Sequence, residues 1–315
     1  MKLFNKLKER RNKKRFNAVA AKVLNTKPIK ADKSAKVVIL SQVYHSALDM
    51  SLLALKSFAV HFGPCDIEIL DDGSLTNEDY NVIEQQLSGC TVTHISAVDT
   101  QQCPTGNCWE RLVRIIELSQ ERYVIQVDTD TLTIAAIPEI VNAVKNDCAF
   151  TIGNPIFNTA VSTEYMSAIS NNWKSNHVQV EIERRLNEVE LENFLEYCRG
   201  CAALAGFPSK AVSMALLNRF SEQMNTLLGS TKWNEWGSEQ VASNVMISIC
   251  KDKQILPWPK YANYGFPSQG DDSAPETFAG KCASLHFIGS HRFSTRCYEK
   301  LADQVIKNIL GTAGD

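Results

Sequence analysis

The order of residues predicts an α/β fold in which a mostly parallel central sheet is flanked by helices, and three observations carry that expectation. From Lys36 onward, short β-branched runs alternate with stretches of helical periodicity, as repeated strand-helix-strand units do. The chain has 315 residues, 44% of them hydrophobic and 22% charged, which suits a globular protein with a substantial core. Two of the β-branched runs lead directly into pairs of acidic residues, and open α/β sheets hold their ligands beyond the carboxyl ends of their strands.

Taken in order, the first strand is expected at Val37-Val38-Ile39-Leu40, followed by a helix over Leu48 to Phe62. The second, Ile67-Glu68-Ile69-Leu70, runs into Asp71-Asp72-Gly73-Ser74. A third strand at Thr91 to Ile95 precedes a helix from Trp109 to Leu118, and the fourth, Tyr123 to Val127, ends at Asp128. Pro138 suits the first turn of the next helix, after which Ala149 to Ile152 resumes a strand. Beyond Asn154 the alternation weakens. Helices are expected over Val178 to Tyr197, Lys210 to Leu228, Ser238 to Cys250 and Arg296 to Leu310, a loop over Pro257 to Gly280, and a late strand at Ala283 to Ile288.

Charge divides the chain. Residues 1–36 hold thirteen Lys or Arg against Glu9 and Asp32, a net of +11, so the remaining residues carry a net of −13. A body that acidic repels a phosphate backbone, which argues against extended nucleic-acid binding outside the first segment. Residues 1–34 read as a basic tail and linker, and 35–315 as one domain. Within the tail, Leu3, Phe4 and Leu7 share one side of a helix whose other faces are basic, leaving three readings open: contact with an anionic membrane surface, a solvated tail, or a helix packed on the domain. No apolar run approaches the ~18 residues a membrane span needs. The ten cysteines are dispersed, no secretory signal precedes them, and the Cys198-x-x-Cys201 spacing lacks a second pair at zinc-site distance. They read as reduced thiols, and the protein as cytoplasmic, with peripheral attachment to the inner face of a membrane left open.

The acidic pairs carry the chemistry. Asp128 and Asp130, two residues apart, point the same way in extended backbone and can share one divalent cation. A cation held there bridges a diphosphate and neutralises the charge that develops when the diphosphate leaves. A loop that caps the next helix is the structural alternative.

This arrangement resembles the glycosyltransferases of the GT-A fold over most of the chain from Lys36 to Leu301. Trp109-Glu110-Arg111-Leu112 and Tyr123 to Leu132 (YVIQVDTDTL) are similar to the block leading into the D-x-D of glycosyltransferase family 8, which implies that Arg111 helps shape the donor site. Leu285 to Arg292 (LHFIGSHR) resembles that family's C-terminal motif, implying His286 as a third metal ligand and a nearby basic residue on the diphosphate. This chain has His291-Arg292 where the family has Lys-Pro, so the phosphate contact is open between the two. An imidazole beside two carboxylates favours Mn²⁺, with Mg²⁺ as the alternative. Trp236 to Val241 (WGSEQV) is similar to an altered acid-Gln-acid segment, implying Gln240 near the reacting sugar and Glu239 as the acid before it; Ser238 as a helix cap is compatible with both. Asp66 to Ser74 (DIEILDDGS) instead resembles the nucleotide-binding strand end of family 2, implying uracil contact by Asp72 or by Asp71.

The resemblance implies a metal-dependent transferase moving a sugar from a nucleotide-diphosphate donor, UDP-linked in most members of both families, to a glycan or lipid-linked acceptor such as a surface polysaccharide or lipopolysaccharide. Retention at the anomeric carbon is favoured; inversion, with Glu239 as general base, is the alternative. A nucleotidyltransferase would need a glycine- and lysine-rich loop after the first strand, where Ser41-Gln42-Val43-Tyr44-His45 stands. A protein that binds nucleotide sugar without turnover is the remaining alternative.

Overall fold

The computed structural model describes residues 2–265 and 278–311, the side chains of residues 2–4 and 309 excepted. Residues 266–277 of the expected loop, and the side chains of Leu3 and Phe4, lie outside the described residues. The strands that build the site are β1 (Val37–Val43), β2 (Asp66–Asp71), β3 (Thr91–His94), β4 (Tyr123–Val127), β5 (Thr131–Thr133), β6 (Ala149–Ile152), β7 (Cys201–Phe207), β8 (Lys253–Leu256), β9 (Tyr261–Asn263) and β10 (Ser284–His286). Seven form one sheet in the order β8-β6-β7-β4-β1-β2-β3, in which β7 alone runs antiparallel to its neighbours. A smaller sheet, β9-β10-β5, stands beside the strand ends.

The central strands are buried along their whole length because helices cover both faces. Successive side chains point to opposite faces, so Ile39, Ile67, Ile69 and Ile125 enter one core while Val38, Leu40, Leu70 and Val124 enter the other. Helices α1 (Lys2–Ala20), α2 (Leu48–Phe62), α3 (Asn77–Gln86), α4 (Trp109–Ser119) and α5 (Pro138–Lys145) occupy the first half of the chain. Pro138 stands at the start of α5, where its missing N–H is no loss. The apolar side of α4 buries Trp109, Leu112, Val113, Ile115 and Ile116, and the Trp109 indole donates to Ser238 Oγ at 3.0 Å.

The second half departs from expectation at β8 and β9, which stand where no strand was expected, and in three further places. First, β7 carries the sequence CAALAGF, whose small residues give little strand signal, yet it lies between β4 and β6. The small residues are needed for close packing: a Cβ on Gly206 would meet the Phe150 ring at 2.2 Å and Tyr123 Oη at 2.5 Å. Second, the helix expected over Val178 to Tyr197 is a short one, Val178–Glu183, followed by a 3-10 turn at Leu186–Glu188. Buried Val189 and Leu191 then follow a spacing of two, Asn193 turns left-handed with φ 63°, and Glu196–Tyr197 pairs antiparallel with Val161–Ser162. Third, the helix at Ser238–Ile249 is entered from Gly237 with φ 103°, so Ser238 does not cap it; its hydroxyl holds the Trp109 indole instead.

The opening segment is helical and lies on the body. Asn12 Nδ2 donates to the Phe293 carbonyl at 2.9 Å, and Phe16, 2% exposed, stacks on Tyr298 with ring centroids 4.0 Å apart. Residues expected as linker continue this packing: Val23 and Ala31 are buried, and Ile29–Lys30 pairs with Leu87–Ser88. No disulfide joins any of the ten cysteines. Among the described residues, no helix is long and apolar enough to cross a membrane.

Candidate active site

Asp128 and Asp130 lie at the end of β4, in the tight turn that leads into β5. The backbone is not extended there as the residue spacing suggested. Thr131 N donates to the Asp128 carbonyl at 3.1 Å and Thr131 Oγ1 to the same oxygen at 2.8 Å, closing the turn. Phe287 N, just past β10, donates to the Asp130 carbonyl at 2.8 Å, which fixes the turn against the small sheet. Because β10 pairs with β5 in a register that sets His286 opposite Thr131, the imidazole arrives beside the carboxylates from a distant part of the chain. One ligand atom from each of Asp128, Asp130 and His286 falls within 4.8 Å of the others.

Around this cluster the charges are arranged in pairs. Arg111, on α4 and 7% exposed, donates from Nη1 to Asp128 Oδ1 at 2.6 Å and from Nη2 to both carboxylate oxygens of Glu239 at 3.2 Å. Burial works against its charge, but the two carboxylates hold the guanidinium well above its ordinary range, so it stays a cation. Burial pushes Glu239 up, with Asp128 adding to the shift and Arg111 opposing it. Asp130 has Arg292 Nη2 and His286 Nε2 each at 3.3 Å, and although burial raises its carboxyl, those two neighbours hold it below the usual range. Gln126 Nε2 donates to Asp128 Oδ1 at 3.0 Å.

The set fits a divalent cation. Two carboxylates and an imidazole are a borderline-hard donor set. Asn263 Oδ1 lies 2.7 Å from His286 Nδ1, an arrangement that keeps that nitrogen as the donor and turns Nε2 toward Asp130. Cys201 Sγ is 3.5 Å from the same Nδ1.

The cluster opens into a cavity of about 860 Å³, lined among others by Gln42, Tyr44, Arg111, Arg199, Gln240 and Arg292. Gln42 Oε1 is buried at the end of β1 with no hydrogen-bond partner among the described residues, as a group awaiting a ligand would be. Gln240 lines the cavity, its Nε2 donating to Gln179 Oε1 at 3.2 Å. Arg199 is paired with fully buried Glu183 at 2.9 Å and lies over Phe157 and Trp173. Of the two basic residues after β10, Arg292 lines the cavity and His291 does not.

The other acidic strand end lies outside this gathering. Asp71 Oδ1 accepts from Gly73 N and Leu75 N, and Oδ2 accepts from Tyr80 Oη at 2.5 Å. Asp72 Oδ1 accepts from Ser74 N and Oγ. Neither lines the cavity.

A separate comparison by fold is informative where sequence is not: no protein-family model and no curated protein matches the chain. The chain superimposes on the bifunctional glycosyltransferase WbbM with a TM-score of 0.53 at 14% identity, over 90% of this chain and 52% of that one. It thus spans about half the length of that protein. It also superimposes on the galactosyltransferase LgtC, solved with donor and acceptor sugar analogs, with a TM-score of 0.53 at 10% identity, over 86% of this chain and 96% of LgtC. This is the GT-A fold. Within a GT-A sheet, the turn after β4 sits where open α/β proteins bind ligands, and the Asp128, Asp130 and His286 cluster is the group of potential metal ligands found among the described residues.

Several residues of the site had no local signature. Asn263 sits in a stretch expected as loop, and Gln42, Tyr44 and Cys201 are ordinary in sequence. Asn107 and Cys108 gave more: with Gly106 they form three consecutive left-handed residues, φ 81°, 49° and 71°, a strained approach to α4 at the cavity wall. Of the aromatic residues in the C-terminal half, Trp236, 67% exposed, and Trp258 line the cavity, where a sugar face could stack on them. Trp233 and Tyr261 are core, the latter donating to Glu139.

Proposed function

We propose that this protein is a metal-dependent glycosyltransferase that moves a sugar from a nucleoside-diphosphate donor, with UDP as the nucleotide, to a glycan or lipid-linked acceptor with retention of configuration. Residues 35–315 form the catalytic unit, with 1–34 appended to it. The observation that carries the reading is the convergence of Asp128, Asp130 and His286 at a strand end that opens into a cavity large enough for a sugar nucleotide.

Asp128, Asp130 and His286 would hold the cation, Mn²⁺ or Mg²⁺, whose bound charge supplies Lewis-acid stabilisation of the departing diphosphate. Arg292, held at Asp130, adds a fixed positive group on the same side, with His291 next to it in the chain. Arg111 fastens Asp128 and Glu239 together and so sets the floor of the donor pocket. Gln240 has its amide nitrogen engaged by Gln179, which leaves its carbonyl oxygen to meet positive charge developing on the sugar.

Retention is favoured by one further observation. The carboxylates lining the cavity, among the described residues, are Asp128, Asp130 and Glu239. The first two belong to the cation cluster, and Glu239, 4% exposed, gives both oxygens to Arg111, so none is poised as a base toward an acceptor hydroxyl. The acceptor hydroxyl would then attack from the side on which the diphosphate leaves, its oxygen bonding to the anomeric carbon as the bond to the diphosphate breaks and its proton passing to the departing diphosphate oxygen. The test is a melting-temperature screen against nucleotide sugars with and without Mn²⁺, followed by NMR of the anomeric proton in the product. A metal-dependent shift with a UDP-sugar and a product of unchanged configuration are expected. An inverted product would overturn retention, and no shift with any nucleotide sugar would overturn the donor class.

A further inference from the structure

The two sides of α1 differ sharply. Asn12, Phe16, Ala20 and Val23, spaced by three and four residues, face the body and are buried. At 100° per residue the opposite side carries Leu7, Arg10, Arg11 and Lys14, again at steps of three and four, with exposed Ala18 and Ala21 following. Arg10, Arg11 and Lys14 are exposed, and no ion pair among the described residues involves them. Leu7, in their midst, is 55% exposed. A helix on a soluble body ordinarily turns its mixed-charge face to water; this one presents a single-sign row around an apolar side chain.

We propose that this face of α1 docks the protein on an anionic lipid bilayer. The chemistry is complementary: Lys and Arg near an anionic surface are each attracted to it, and an apolar side chain among them enters the headgroup boundary. Residues 37–315, at a net of −13, are repelled by the same surface, so the docked orientation is selected by charge. That orientation also bears on the site. Lys13, Phe16, Asn17 and Ala20 of α1 line a second cavity of about 540 Å³, which shares Tyr44, Gly289 and Arg292 with the main cavity. If the transferase reading holds, the bound membrane is where a lipid-linked acceptor would be presented.

The experiment is co-sedimentation of the full chain with vesicles of phosphatidylcholine, with and without about one-third phosphatidylglycerol. Binding is expected only with the anionic lipid, and it should fall as salt is raised from about 0.1 M to about 1 M, where the Debye length shrinks from ~10 to ~3 Å. Replacing Arg10, Arg11 and Lys14 together by Gln should weaken partitioning about a hundred-fold, and Leu7→Gln should weaken it by a smaller factor. Both variants should keep the parent's melting temperature and its donor hydrolysis in solution, since none of these residues packs or lines the site. Undiminished binding by the triple variant overturns the proposal. So does binding to an RNA or a polyanionic polysaccharide without binding to vesicles, or a low-salt dimer that the triple variant abolishes while vesicles are ignored. Vesicle binding without donor turnover would leave this inference standing and count against the transferase reading alone.

Discussion

Two strand ends of this molecule carry paired acids in similar settings, and the structure uses them differently. Asp71-Asp72 follows β2, and its carboxylates close the loop that follows: backbone N–H groups of Gly73 and Leu75 and the Tyr80 hydroxyl occupy Asp71, and Ser74 occupies Asp72. Asp128 and Asp130 follow β4, and besides Gln126, two residues before Asp128, theirs face Arg111, Arg292 and His286, side chains from other elements of the fold. An acid whose partners are neighbouring amides is a turn device, whereas one whose partners are remote cations and an imidazole is a binding device. The difference lies in what the strand order brings alongside. β4 is central, with β5 and β10 folding back over its end, while β2 lies nearer the edge and has α3 over its end.

The largest effect expected from breaking this contrast is at the β4 end. Asp128→Asn and Asp130→Asn should each lower metal-dependent consumption of the nucleotide sugar by about 10³-fold or more, on the order of 4 kcal/mol, read as kcat/KM. A comparable loss in Asp71→Asn, measured on folded protein, would erase the distinction. Next comes Asn263→Ala, which frees the His286 ring without touching a ligand atom. Titration with Mn²⁺ should show affinity reduced about 10–100-fold, and unchanged affinity would mean that the Asn263 contact does not orient the ligand.

At the β2 end the expected effects are on stability. Asp71→Asn keeps an oxygen for the Gly73 and Leu75 amides but sets an NH2 group where Oδ2 accepts from the Tyr80 hydroxyl, and should cost about 1–3 kcal/mol in urea unfolding, with the specific activity of the folded fraction retained. The smallest effect is expected at Asp72. Because it lies outside the cavity lining, Asp72→Ala should change KM for a UDP-sugar by less than about twofold and stability by less than about 0.5 kcal/mol. A large rise in KM there would restore the uracil contact that the DDGS resemblance implied.

Much of the architecture was legible because it is local. Helix Leu48–Phe62 and strands Tyr123–Val127 and Ala149–Ile152 fall where periodicity placed them, since each meets its burial within one run of residues. Asp128 and Asp130 were legible through their place after an apolar strand, and His286 only through the resemblance of Leu285 to Arg292 to a family motif; the structure brings the three together. β7 was not, because Ala and Gly carry no pattern of their own and form a strand here only through the side chains of β4 and β6 pressing on either side. The segment after Glu183 was misread for a related reason: a polar stretch with scattered apolar residues fits a helix until Asn193 takes a left-handed conformation.

What the sequence determined by itself was therefore the set of strands and helices that are amphipathic or apolar in their own right, the acids at two strand ends, and a first segment of strong positive charge. What only the tertiary structure decided was that Asp71 and Asp72 close their own loop, that Asn263 holds His286, that Glu239 is tied to Arg111, and which side of α1 remains facing water. The physical reason is the same in each case. Periodicity and turn chemistry act between residues a few positions apart, but a buried polar group takes its role from the partners that desolvate it and satisfy its hydrogen bonds, and here those partners come from strands and helices joined only by the fold.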